Sequence, residues 1–182
     1  MLMTWWRNDY RAAIVAALLR IYLGWLWLEA GWHKIAGSEP FDATGFIKRA
    51  IDNPVTDRAT GEIIYPTYTA FLKHIALPNV DLINILVPYG EVLVGIGLIV
   101  GGLTTAAAFF GLLMNFMFLF AGTVSTNPWF VLIGALVLVA GANAGRYGLD
   151  RYLRKLYAKW RAGAGRPGGV ANGDGVRERT VG

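Results

Sequence analysis

The sequence predicts an all-α membrane protein: an antiparallel four-helix transmembrane bundle with a long outer loop and a basic C-terminal surface helix. Three observations predict it. Hydrophobic residues make up 55% of the 182-residue chain and charged residues only 16%, against roughly 25% charged in a soluble domain. The apolar residues are gathered into four runs, each near the ~20 residues that cross a hydrocarbon layer. The basic residues lie mostly outside those runs, nine of the 17 from Arg146 onward.

The elements follow in order. Residues 1–11 are a short polar entry in which Trp5 and Trp6 suit an interfacial belt. A signal peptide is the competing reading of this end. It is set aside because the apolar run is too long and no small-residue cleavage site follows it. The four-span domain covers residues 1–150, with spans at about 12–35, 82–102, 104–122 and 128–145. Between the first two spans lies a connection with charges of both signs and Pro54, Gly61, Pro66 and Pro78. Two amphipathic helices are expected there, in FDATGFIKRAID and in YPTYTAFLKHIAL, the second with Tyr68, Phe71, Leu72 and Ile75 on one face. The other connections are short, which forces antiparallel neighbours. Residues 151–162 read as a basic interfacial helix. Residues 163–182, rich in glycine and charge, are expected to be disordered.

Basic residues set the orientation. The N-terminal arm has Arg7 and Arg11, the tail has nine, and the long connection has only Lys48, Arg49, Arg58 and Lys73. The positive-inside rule then places both termini in the cytoplasm of a multi-pass protein in a cell membrane, with the long connection outside. The basic tail is expected to meet anionic lipid rather than nucleic acid.

Cysteine is absent and histidine occurs twice. This excludes disulfides, thiolate catalysis, cysteine-ligated iron–sulfur clusters and thioether-linked haem. No metal or covalent cofactor is expected.

The candidate site residues are the ionisable and polar groups inside the spans. A lone charge at mid-membrane costs on the order of 3 kcal/mol on insertion scales. Counting along each span at ~1.5 Å per residue puts Arg20 about 12 Å above the inner face, with Glu91 and Asn115 at about 16 Å. An Arg20–Glu91 ion pair with Asn115 nearby is the expectation, the guanidinium meeting the carboxylate in bidentate geometry. A pair that only fixes helix register explains the same residues. Arg20, Gly24, Trp27, Gly31 and Lys34 share one face of the first span. The two glycines permit close helix approach, and Lys34 is placed to snorkel outward. Glu29 and His33 form an i,i+4 pair on another face, read first as a surface pair and second as a proton relay.

These residues resemble the DoxX/DoxD family of small bacterial and archaeal membrane proteins. The likeness rests on RIYLGWLWLEAGWHKI, PYGEVLVGIGLIVGGLTTAAAFFG, NFMFLFAGTVSTNP and AGRYGLDRYL. It implies a four-helix membrane fold and a link to thiosulfate:quinone oxidoreductase, whose large membrane subunit is DoxD-like and works with a second subunit. On that reading a quinone is the electron acceptor. Arg20 and Lys34 supply positive charge, Glu91 orients Arg20 or carries protons, and Glu29, His33 and Asn115 assist. The rival reading is a non-enzymatic scaffold that recruits a soluble redox or stress-response partner. A transporter is a third, for which a homo-oligomer would have to form the path.

Overall fold

The computed structural model describes residues 1–164. Every regular element among them is helical, apart from an isolated antiparallel bridge between Thr56 and Ile63. Eight α-helices follow in order: α1 Leu2–Asn8, α2 Tyr10–Ile35, α3 Thr44–Asp52, α4 Pro66–Phe71, α5 Val80–Val100, α6 Thr104–Phe120, α7 Asn127–Ala140 and α8 Asp150–Ala164. A π-helical turn, Leu72–Ala76, extends α4, and a 3₁₀ turn, Gly141–Asn143, extends α7. The α2 and α5 helices are long and apolar enough to cross a membrane, and α6 and α7 are shorter apolar helices. Beyond residue 164 the expected disordered tail lies outside the described residues.

Contact between α2 and α5 is the most extensive in the molecule. Glycine makes it possible. A Cβ on Gly24 would come within 2.8 Å of the Gly95 carbonyl, and one on Gly31 within 2.8 Å of the Pro88 carbonyl. Backbone therefore packs on backbone, as small residues allow between membrane helices. Numbers rise along α2 as they fall along α5, so the two run antiparallel. The same holds for α5 and α6, where Gly90 meets Met114 and Gly97 meets Ala107.

The main core gathers Leu23, Trp27, Val94, Leu98, Ala108 and Val137 from these helices. The N-terminal arm completes it. Trp6 donates its indole N–H to Leu136 O at 2.9 Å, and Asn143 donates to the carbonyls of Trp6 and Asp9, both at 2.9 Å. The Asp9 side chain caps α2 by accepting from Arg11 N at 2.7 Å. Trp6 is thus packed against α7, while Trp5 remains exposed.

The long connection has a small core of its own: Ala43, Ile47 and Ala50 from α3 against Leu72 and Ala76. It is pinned to the bundle at three points. Ala43 N donates to Asn84 Oδ1 at 2.8 Å, Tyr68 Oη donates to Met117 O at 2.8 Å, and the Tyr65 ring meets Phe120 at 4.7 Å. The expected inner face of this segment shifts by one residue. Leu77 N bonds back to Leu72 O in the π turn, and the wider turn changes the phase. Ala76 is buried and Ile75 points out, whereas an unbroken α-helix would have kept Ile75 with Tyr68, Phe71 and Leu72.

Candidate functional site: a roofed chamber with one buried ion pair

The expected Arg20–Glu91 ion pair is not formed. Arg20 is 1% exposed and spends its guanidinium on main-chain carbonyls. It donates to Ala144 O at 3.0 Å, Ile99 O at 2.8 Å, Tyr147 O at 3.1 Å, and also to Leu98 O. The physical reason is register. α2 continues about ten residues past the level at which α5 ends, because the arm and the 3₁₀ turn cover that extension. Arg20 therefore meets the C-terminal end of α5, where orphan carbonyls and the negative end of the helix dipole accept a cation.

Gly101 shapes the rest of this inner end. It closes α5 at φ +67°, and a Cβ there would fall 2.5 Å from an Arg20 nitrogen. The carboxylate acting on Arg20 is Asp150. Asp150 also accepts from Leu103 N at 2.6 Å and Thr104 N at 3.0 Å, so it caps α6 from a distant part of the chain.

Glu91 pairs instead with Lys34, whose Nζ lies 2.6 Å from Glu91 Oε2. The close approach at Gly31 brings α2 near enough for the ammonium one turn later to reach across. Lys34 also donates to Ala30 O at 3.3 Å and lies 5.9 Å from the centre of the Phe41 ring. It does not snorkel away from the bundle. Glu91 is 2% exposed, so its charge is answered mainly by this one cation.

The pair stands in the wall of a cavity of about 520 Å³. Its walls come from the C-terminal half of α2, the N-terminal half of α5, the C-terminal half of α6 and the start of α7, through residues such as Trp27, Val87, Met114 and Phe130. Its roof is the long connection, through Phe46, Tyr68 and Leu72. The lining is almost wholly apolar apart from Lys34, Glu91 and a few hydroxyl and amide groups near Thr126. Burial pushes the Tyr68 phenol up to about 12, so it stays neutral and acts as a hydrogen-bond donor.

Two polar atoms nearby lack protein partners. Trp27 Nε1 and Asn115 Oδ1 are buried without a hydrogen bond. Trp27 packs edge-on against Phe130 at 5.3 Å and abuts Gly111, one turn from Asn115 on α6. From the α5–α6 pairing, Asn115 lies at the level of Glu91, as the depth count expected, and Arg20 does not. Unpaired buried polar groups are uncommon and call for an explanation.

Glu29 and His33 do approach each other, at 3.8 Å. They face outward from α2, away from the chamber. Among the described residues no group of three His, Cys, Asp or Glu side chains is placed to hold a metal ion. The chamber roof, the Trp27 N–H and the Asp150 cap had not been singled out from sequence. The roof has a sequence signal in its two amphipathic segments, and the cap has one in the 145–150 stretch following the last span, where Gly148 packs on Gly101.

The chamber and the contact of Arg20 with the end of α5 fall largely within one stretch of recognisable sequence. No curated protein and no solved structure matches the chain. The DoxX family model matches residues 15–126, which hold Arg20, Lys34, Glu91, Asn115 and the whole roof. The chain belongs to the DoxX family of membrane proteins.

Proposed function

We propose that this chain is the membrane subunit of a quinone-linked oxidoreductase, and that the roofed chamber seats the quinone ring. The carrying observation is the combination of a largely apolar cavity of about 520 Å³ and a single Lys34–Glu91 pair in its wall. Ligand sites of this size are apolar with a few fixed polar groups. In this reading α2, α5, α6 and α7 are four antiparallel spans of a cell membrane. Both termini are cytoplasmic and the chamber opens toward the outer side.

Lys34 donates to a quinone oxygen and stabilises charge that builds there on reduction. Glu91 holds Lys34 and passes a proton to the reduced oxygen. Reduction takes two electrons and two protons per quinone, and both protons are drawn from the aqueous phase and relayed by Glu91. With thiosulfate as donor, two thiosulfate ions give one tetrathionate and those two electrons, through a second subunit. Trp27, in the chamber wall, supplies a further donor for a ring oxygen through its unpaired N–H. Arg20 holds α5 and the 144–147 segment together and acts on the site only through α2.

The test is the purified complex assayed for thiosulfate-dependent reduction of a soluble quinone. Glu91→Gln and Lys34→Met are expected to lower the rate at least about tenfold while protein is still folded. Full activity in both would remove the assigned residues, and no activity in the intact complex would remove the reaction.

The scaffold reading draws on one feature, α8. Its residues 151–162 are exposed, with Tyr152, Leu156, Tyr157 and Trp160 uncovered beside Arg151, Arg154, Lys155 and Lys159. A stoichiometric soluble partner recovered from gently solubilised membranes, and lost when α8 is removed, would favour it.

A further inference from the structure

The outward face of α2 carries a feature that the chamber does not use. Glu29 and His33 are largely uncovered, at 52% and 77% side-chain exposure. Their depth is set by the packing of α2 on α5. Gly24 lies against Gly95 and Ile99, and Gly31 against Pro88 and Val92. Glu29 is therefore level with roughly residues 90–94 of α5. The middle of that helix is at the same height.

The side chains around Glu29 on this face are those of a helix in lipid: Tyr22, Trp25 and Trp32, all exposed. A carboxyl group at this height on such a surface faces acyl chains. Ionisable groups inside a membrane almost always face protein or a water-filled cavity instead. One contact of 3.8 Å to His33 leaves most of the hydrogen-bonding capacity of both groups unused. Apart from Asp81 in its first turn, α5 shows no outward Asp, Glu, Lys, Arg or His, and neither does α6 or α7.

We infer that this face of α2 is an intramembrane interface with a second copy of the same chain, in which Glu29 and His33 of each copy pair across a two-fold axis along the bilayer normal. Copies inserted in one orientation meet level on level about such an axis. Each Glu29 then meets the second copy's Glu29 at its own height and the second copy's His33 one turn along the helix, so each carboxyl accepts from the other copy's imidazole N–H. The contact is self-complementary in charge and in donor and acceptor. Trp25 and Trp32, about one turn to either side, close over it with large apolar surfaces. This requires only that α2 spans the membrane, and it stands apart from any quinone chemistry.

The absence of cysteine makes the test direct. Single-cysteine variants Trp25→Cys and Trp32→Cys, oxidised in intact membranes, are expected to give disulfide-linked dimers. Phe110→Cys on α6 and Trp129→Cys on α7, equally exposed, are expected to stay monomeric. Glu29→Leu, a change on an exposed surface, is expected to raise the dimer dissociation constant in bilayers about tenfold. The inference is overturned if cross-linking is equal at all four positions, if the α2 variants give no dimer, if they cross-link only to a different protein, or if Glu29→Leu leaves the dissociation constant unchanged.

Discussion

Two cations on one helix have opposite surroundings, and the contrast separates what holds the protein together from what it does. At one end of the bundle Arg20 hydrogen-bonds only to carbonyl oxygens, from the end of α5 and from the 144–147 segment. Each of its three guanidinium nitrogens donates at least one hydrogen bond, so the group is spent on the backbone. At the outer end Lys34 meets a carboxylate, and the pair borders a large empty volume. A fully satisfied guanidinium in close-packed backbone is a joint. An ion pair with an open side retains capacity for a ligand. Buried charge alone therefore does not mark the site; charge beside unfilled space does.

The largest expected effect breaks the joint. Arg20→Met leaves four carbonyls of the α5 end and the 144–147 segment without their donor. Each hydrogen bond to a charged group is worth about 1.5–3 kcal/mol and losses in one network are not additive, so about 3–5 kcal/mol of stability should disappear. Arg20→Lys should recover little of it, because one ammonium cannot span the fork. Thermal melts in detergent check this. A folded, stable Arg20→Met protein that has lost only activity would reverse the comparison and return Arg20 to the site.

The next effect concerns the outer pair. Glu91→Leu strands Lys34 beside an apolar cavity and should cost about 1–3 kcal/mol, since Lys34 retains some access to water. The double variant Lys34→Met/Glu91→Leu should recover most of that stability, because apolar pairs often replace buried ion pairs at no net cost. Quinone reduction should not recover with it. Melts and rates on the unmodified protein and these two variants separate the roles: rates that return with stability would make the pair a register device only.

The glycine joint between the two regions comes third. Gly31→Ala puts a methyl group about 2.8 Å from the Pro88 carbonyl. The neighbour is backbone, so α2 and α5 must separate, at about 1–3 kcal/mol. The separation also lengthens the Lys34–Glu91 approach. Activity is expected to fall further than stability alone explains, and the ratio of specific activity to folded fraction measures it. Asp150→Ala removes a helix cap at the inner end and should cost about 1 kcal/mol with no change in activity per folded molecule.

The four apolar runs were legible because hydropathy over a span is additive and local. The pairing of charges inside them was not, because it depends on how far each helix slides past its neighbour. The depth count assumed that all spans begin flush at the inner face. For α5 and α6 this was adequate, and Glu91 and Asn115 do share a level. α2 begins at Tyr10, and one face of its first turns, Ala12, Ala13, Ala16 and Ala17, is buried, while α1 is tied to α7 and the turn after it through contacts more than a hundred residues apart in sequence. Nothing local announces that overlap, and it displaces Arg20 by the length of the extension. The roof was legible as two amphipathic segments but not as a lid on a chamber. The π turn that rotates Ala76 inward has no compositional signature. Lys34 was taken for a snorkelling residue because its partner lies 57 positions away.

The smallest expected change is the sharpest probe of the chamber. Trp27 is buried with its ring packed on Phe130 and its N–H unpaired. In a protein without ligand, Trp27→Phe removes an unsatisfied donor and some apolar area. The gain from the first offsets part of the loss from the second. Net stability should move by about 1 kcal/mol or less. The effect on ligand binding runs differently. If the N–H faces a ligand oxygen, its loss should weaken quinone affinity about three- to tenfold, the value of one neutral hydrogen bond. Titration of a soluble quinone against the folded variant, followed by quenching of the remaining tryptophans, reads that ratio. Unchanged affinity with unchanged stability would mean that the orphan donor is merely tolerated and that Lys34 and Glu91 alone orient the ring.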